Sequence, residues 1–299
     1  MAKGILFAAS AFVIWGIFPI YFKVLATVPP VEMLAHRVLW SLVFVAMLLA
    51  GRRQWAWIKQ LRTQPRVIAG FALSGALLSS NWCVYIWAVH QERIVDTSLG
   101  YFINPLINVL IGALLLKERL RPGQWSSVAL AFSGVAWLTW QSGSLPWVSL
   151  WLALTFALYG LLRKTALLGP LEGLALESMV LAPLGLVYIA WLASQNQSGF
   201  VELTPLMQLM VIASGPITAI PLLLFAAGAR RISLSALGLL QYIGPSLQLI
   251  AGIWLFNEPF GGDRQIAFML IWAALALYSL ESAWRVWGTR AASKEKKTS

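Results

Sequence analysis

Charge and cysteine are what this chain has least of. Only 11% of its 299 residues are charged, where an ordinary soluble domain carries roughly a quarter, so a water-facing shell cannot be assembled around a core of this size. A single cysteine, Cys83, excludes an intrachain disulfide, and two histidines, His36 and His90, give no basis for a metal cluster. H-E-x-x-H, G-x-S-x-G, a phosphate-cradling glycine loop and a close pair of intramembrane aspartates are also missing. An enzyme is therefore not expected, and no cofactor or metal is called for. What is abundant is apolar surface: 59% of residues are hydrophobic and 16 are tryptophan, more than a water-soluble particle can hide. The expected solvent is a bilayer.

Ten apolar stretches follow one another, at 4–25, 32–51, 67–90, 95–116, 123–140, 147–163, 172–193, 205–228, 232–256 and 265–284. In hydrocarbon each is expected to be a helix, because every backbone donor and acceptor must be satisfied within the segment. The connections are short, as at Thr27-Val28-Pro29-Pro30, Ser142-Gly143-Ser144-Leu145-Pro146 and Gly261-Gly262-Asp263, so sequential spans run antiparallel. No extramembrane domain of useful size is left over. The first span is read as retained rather than cleaved, since its apolar run exceeds a signal core and no A-x-A-like site opens a polar segment.

The net charge of +11 would suggest nucleic acid in a soluble protein. Sorted by alternate loops, however, all of the 22 basic residues except Lys23, Arg37, Arg93 and Arg264 fall on the side of the N-terminus. Positive residues mark the cytoplasmic face, so both termini are expected inside and no nucleic acid is expected as a partner. The basic end, 286–299, is expected to be an unfolded tail drawn to anionic lipid.

The second half repeats the first weakly but in order. Pro30, Glu32, Leu34 and Ala35 fall on Pro170, Glu172, Leu174 and Ala175, and Ser74-Gly75 falls on Ser214-Gly215. In the same register Leu99, Ile103, Pro105, Gly112, Leu115 and Glu118 fall on Leu239, Ile243, Pro245, Gly252, Leu255 and Glu258, while Trp15-Gly16 matches Tyr159-Gly160 after a small slip. Five spans per half is odd, so the second half enters the membrane upside down. Inverted repeats are a signature of secondary transporters, whose halves exchange inward-open and outward-open states around one midplane site. The division is expected at 1–141, 142–285 and the tail 286–299.

The segments WGIFPIYFK at 15–23, HRVLWS at 36–41, NWCVYIWAV at 81–89, GYFINPL at 100–106, Glu118-Arg119 and QYIGP at 241–245 resemble the RarD branch of the EamA transporters, within the drug/metabolite transporter superfamily. The resemblance spans the whole chain. It implies an all-α integral membrane protein of ten transmembrane helices in two inverted five-helix repeats, located in the bacterial inner membrane. It also implies export of a small molecule, with amino-acid-type compounds and chloramphenicol-like drugs as classes, and a cavity lined chiefly by spans 1, 3, 4, 6, 8 and 9.

The residues suggest where such a cargo would sit. Asn104 and Asn108 lie near the middle of the fourth span, on one face with Tyr101, and Gln241, Pro245 and Gln248 share a face of the ninth. Pro19, Pro105 and Pro245 are candidate kinks, each removing a backbone donor and freeing a carbonyl. Interhelical hydrogen bonding is the alternative use of these polar side chains. Asn81 is also near mid-depth, with Trp82 and Tyr85 beside it; these rings, with Trp15 and Tyr159 before matched glycines, are expected either as apolar walls of the cavity or as core packing. Arg37 and Glu177 are the ionisable pair. They occupy matched positions but enter from opposite faces, about 15 Å apart in depth, so no mutual salt bridge is expected. Arg37 can snorkel outward along its stem or serve function. Glu177, with the shorter stem, is the candidate for cargo binding or proton coupling, and Lys23 and Arg163 are placed at the interface. A channel, or a lipid flippase or scramblase, is the competing reading to a solute carrier. Nothing in the sequence speaks to oligomeric state.

Overall fold

A computed structural model describes residues 2–53, 55–61, 64–115, 120–164, 166–229, 231–232 and 240–298. Among them there are helices and turns and no strand. The helices are α1 (Ala2–Val24), α2 (Pro30–Arg52), α3 (Ala56–Leu61), α4 (Pro65–His90), α5 (Ile94–Leu115), α6 (Pro122–Ser142), α7 (Trp147–Lys164), α8 (Pro170–Ser194), α9 (Pro205–Ala229), α10 (Ile243–Ile250, continued by a π-helical turn Ala251–Leu255) and α11 (Asp263–Thr298). Seven of the described helices are long and apolar enough to cross a membrane: α1, α2, α4, α5, α8, α9 and α11. Trp147–Arg163 and Ile243–Leu255 are shorter apolar helices. The 21-residue α6 is more polar, with Gln124-Trp125-Ser126-Ser127 in its first turns.

The helix starts follow from the sequence. Pro30, Pro65, Pro122 and Pro170 stand in the first turn of their helices, where a missing N–H costs nothing. Between α6 and α7 the chain turns at Gly143, whose φ of 65° suits a residue without Cβ. The expected unfolded tail is a correction: the backbone stays helical through Thr298, in keeping with the high helix propensity of its Ala, Lys, Glu and Arg residues. One element escaped the apolar pattern, and three residues of the matched repeat and motifs fall outside the description. The short α3 lies in what reads as a connection, and Glu118, Arg119 and Leu239 lie outside the described residues.

Packing joins the two halves of the chain throughout. α1 packs on α9 and α10, α2 on α8 and α9, α4 on α7 and α8, α5 on α7 and α10, and α6 on α11. Lipid is as apolar as leucine, so close van der Waals fit must hold such helices together. At Gly100 a Cβ would stand 2.6 Å from the Ser149 carbonyl oxygen, which brings α5 and α7 backbone to backbone. Outward faces carry Phe132, Trp140, Leu184, Val187 and Leu206, all well exposed and apolar.

Two buried carboxylates tie one half to the other. Glu32 at the start of α2 accepts hydrogen bonds from Ser198 Oγ (2.7 Å), Gly199 N (2.9 Å) and Phe200 N (3.1 Å) in the α8–α9 connection. Glu258, beyond α10, accepts from Ile94 N (2.6 Å) and Val95 N (2.8 Å) at the start of α5. Burial raises the Glu258 pKa against the pull of those two amides.

Candidate functional site

A cavity of about 70 Å³ opens where α1, α2, α4, α5, α7, α9 and the start of α10 converge. Its walls are mostly rings: Phe12, Trp15 and Phe18 from α1, Trp82 and Tyr85 from α4, and Phe156 from α7. Polar groups come from Tyr85, Tyr101, Gln241 and Gln248, and among the described residues the one charged lining residue is Arg37.

Arg37 is the most unusual group in the molecule. It is 1% exposed, and its Nε donates to Thr218 Oγ1 on α9 at 2.6 Å. The guanidinium lies over the Trp82 ring, 3.0 Å from its centroid, with Phe22 and Phe18 at 5.6 and 5.9 Å. Among the described residues neither Nη1 nor Nη2 has a hydrogen-bond partner. The snorkelling alternative is thereby corrected. Depth along α2 says how far the head is from the interface, but the stem points inward, and the Trp82 face offers a cation–π seat there. Thr218, held between Pro216 and Pro221, was not singled out from the sequence; a lone hydroxyl between two prolines in an apolar span was the available signal.

The other polar residues divide into those at the cavity and those behind it. Gln248 Nε2 donates to the Trp15 carbonyl at 3.1 Å while its Oε1 accepts from Thr97 at 3.4 Å, bracing the wall it belongs to. Gln241 Nε2 donates to Asn104 Oδ1 at 3.3 Å. Asn104 and Asn108 stand one layer back: Asn108 donates to Asn104 at 3.1 Å, and Asn104 donates to the Ala153 carbonyl at 3.0 Å. Asn81 likewise does not line the cavity. Its Nδ2 donates to the Leu152 carbonyl and Thr155 Oγ1, both at 2.9 Å, and its Oδ1 accepts the Tyr101 hydroxyl at 3.2 Å. The Tyr85 hydroxyl, by contrast, is buried without a hydrogen-bond partner among the described residues.

The three prolines differ. Pro19 and Pro105 sit inside α1 and α5, which continue through them. Ahead of Pro245 the helix is interrupted at Tyr242, consistent with the bond that a proline nitrogen cannot make to the Gln241 carbonyl. The Pro245 carbonyl accepts Ser98 Oγ at 2.8 Å.

Glu177 lies elsewhere, 3% exposed, where α4, α7 and α8 meet. Its Oε1 accepts Ser74 Oγ at 2.5 Å and faces Arg163 Nη1 at 3.6 Å; Arg163 also rests over Phe71, 5.2 Å from the ring centroid. Tyr159, packed on Phe156 with centroids 6.1 Å apart, is on the same side of α7 and outside the central lining. A second cavity, about 250 Å³, reaches this cluster between Arg66, Val67, Gly70, Ser74, Leu162 and Leu167. Arg163, in the last turn of α7, has as its partner the carboxylate on α8. Lys23 does pair near the surface, with Glu92 at 2.9 Å.

Comparison with known proteins places these features in a family. Residues 2–140 match the family model of the EamA-like transporters. An uncharacterized transporter of Pseudomonas aeruginosa is 48% identical over 95% of both chains. The protein RarD of Escherichia coli is 41% identical, over 94% of this chain and 95% of its own. One crystal structure superposes with a TM-score of 0.56 at 20% identity, covering 94% of this chain and 97% of that one, which is a likeness of fold.

Proposed function

Because this chain belongs to the RarD branch of the EamA-like transporter family, we propose that it is a bacterial inner-membrane exporter of a small solute, working by alternating access around the Arg37 cavity. The observation that carries this reading is that side chains from both halves of the chain, Trp15, Arg37, Trp82 and Tyr101 from one and Phe156, Gln241 and Gln248 from the other, line a single cavity.

We take the ten spans to be α1, α2, α4, α5 and α6, then α7, α8, α9, the ninth apolar stretch, of which α10 is a described part, and the apolar part of α11. Exchanging these two sets in order turns the α1–α9 contact into α7–α4, α1–α10 into α7–α5, and α2–α9 into α8–α4, each of which is also a contact. Pairs α2–α8, α5–α10 and α6–α11 map onto themselves. That two-fold pattern supports inverted halves at 1–141 and 142–285. The concentration of basic residues on the N-terminal side supports cytoplasmic termini and a cytoplasmic 286–299 segment.

Trp15, Trp82, Tyr85, Tyr101, Gln241 and Gln248 contact the cargo, while Asn81, Asn104 and Asn108 position the residues that do. Glu177, facing Ser74, Arg163 and Tyr159, is the proton-coupling group, with Tyr159 helping to shape the path from the larger cavity. Purified protein in proteoliposomes tests the reading by counterflow across amino acids, dipeptides and aromatic drugs including chloramphenicol. Saturable uptake of labelled solute, driven by excess unlabelled solute inside, is expected. Flux indifferent to solute on the far side would make the protein a channel, and movement of lipid alone a flippase or scramblase.

A further inference from the structure

We infer that the cargo is a small organic acid, its carboxylate held by both Nη atoms of Arg37 and its apolar body laid against the cavity's rings. The inference rests on the transporter reading above and names its substrate class.

Arg37 supplies the strongest argument. A guanidinium cannot shed its proton to escape burial, and a buried cation without a partner is costly unless something meets it. Stacking on Trp82 fixes the plane of the group, and Thr218 occupies the Nε edge. The edge that remains, carrying Nη1 and Nη2, has no hydrogen-bond partner among the described residues and belongs to a lining residue. A planar fork of two parallel N–H donors is the shape that a carboxylate accepts bidentately. The Tyr85 hydroxyl, also buried, unpartnered and lining the cavity, is a further donor for the same oxyanion.

The protein's own carboxylates are engaged elsewhere: Glu32 on the 198–200 turn, Glu177 on Ser74 and Arg163, Glu258 on the start of α5. Among the described residues no salt bridge joins Arg37 to an acid, and no acid lines the cavity. An amine cargo would therefore meet Arg37 with no counter-charge to receive it, and a neutral cargo would leave the fork unmatched. The rings of Trp15, Phe18, Trp82 and Phe156 favour a body that is flat and apolar.

The test uses full-length protein in detergent, titrated with 3-phenylpropionate, 3-phenylpropionamide and 3-phenylpropylamine, which share ring and chain and differ in charge. Binding is read from the thermal midpoint. The acid is expected to bind at least about tenfold more tightly than the amide, and the amine not at all. Arg37→Gln should erase the difference between acid and amide; should that variant fail to fold, the order of the three ligands on the unaltered protein decides. Equal affinity for acid and amide, preference for the amine, failure of all three to bind, or an acid preference that survives Arg37→Gln each overturns the inference. Counterflow separates this from the parent reading. Saturable exchange of a neutral or cationic solute sinks the acid cargo and leaves a transporter standing, whereas acid-selective binding without any saturable exchange sinks the transporter and leaves the Arg37 site.

Discussion

Arg37 and Glu177 occupy the same register in the two halves of the chain and have opposite surroundings. Both are almost fully buried. Glu177 has a hydroxyl donor and a cation beside its Oε1, on α4 and α7, while its Oε2 has no hydrogen-bond partner among the described residues. Arg37 has one hydroxyl and several ring faces, and two of its nitrogens have no hydrogen-bond partner among the described residues. Two positions at matching places in the sequence thus separate into a cluster closed by an opposite charge and one left open, with no opposite charge among the described residues. An open cluster in the wall of a cavity belongs to whatever enters; a closed one stiffens the scaffold or stores a proton.

That contrast can be broken most sharply at Arg37. Arg37→Met should lower counterflow about 100-fold, the size expected when a buried charge partner is removed, while leaving the thermal midpoint unchanged or higher because an unpaired buried cation is gone. A large drop in the midpoint would instead make Arg37 a structural residue. Glu177→Gln should do the reverse for stability, costing about 1.5–3 kcal/mol through loss of charge-assisted bonds, and it should remove the pH dependence of uptake in proteoliposomes while exchange persists. Combined with Arg163→Met its effect should be non-additive, whereas combined with Arg37→Met it should add to within about 0.5 kcal/mol. Uncharged sites set the scale for both. Gly100→Ala, pushing a methyl at the Ser149 backbone, should destabilise by about 1–3 kcal/mol in a denaturation series. Asn81→Ala should cost only about 0.6–2 kcal/mol, and a larger effect on transport than on stability would show that Asn81 acts through the Tyr101 hydroxyl it receives.

Much of the architecture was written in hydropathy. The stretch 205–228 became Pro205–Ala229 and 147–163 became Trp147–Lys164, because proline starts and polar connections bracket each apolar run. The six-residue α3 was illegible for the opposite reason: one and a half turns give no period to read, yet Trp57 and Leu61 bury there against Phe71 and Leu174. Within the site, polarity at Asn81 and Asn104 was visible, but its direction was not. Helical spacing places a side chain on a face, and whether that face meets space or a neighbour depends on α7, whose Leu152 and Ala153 carbonyls take both amides. The same gap hid the pairing of Arg163 with Glu177, since it depends on how α7 and α8 are each set against α4.

The two carboxylate ties, Glu32 on the 198–200 turn and Glu258 on the start of α5, bear on timing. Each belongs to one half and grips backbone of the other, and both grips lie at the end of the bundle where basic residues are sparse. Any rocking motion that parts this rim must first release five hydrogen bonds to carboxylate. Their strength would therefore enter the barrier to any such motion, at a tenfold change in rate for each 1.4 kcal/mol, about the worth of one such bond. Weakening a tie would quicken the opening of the rim without touching the cavity, and its mark would fall on turnover number rather than on affinity.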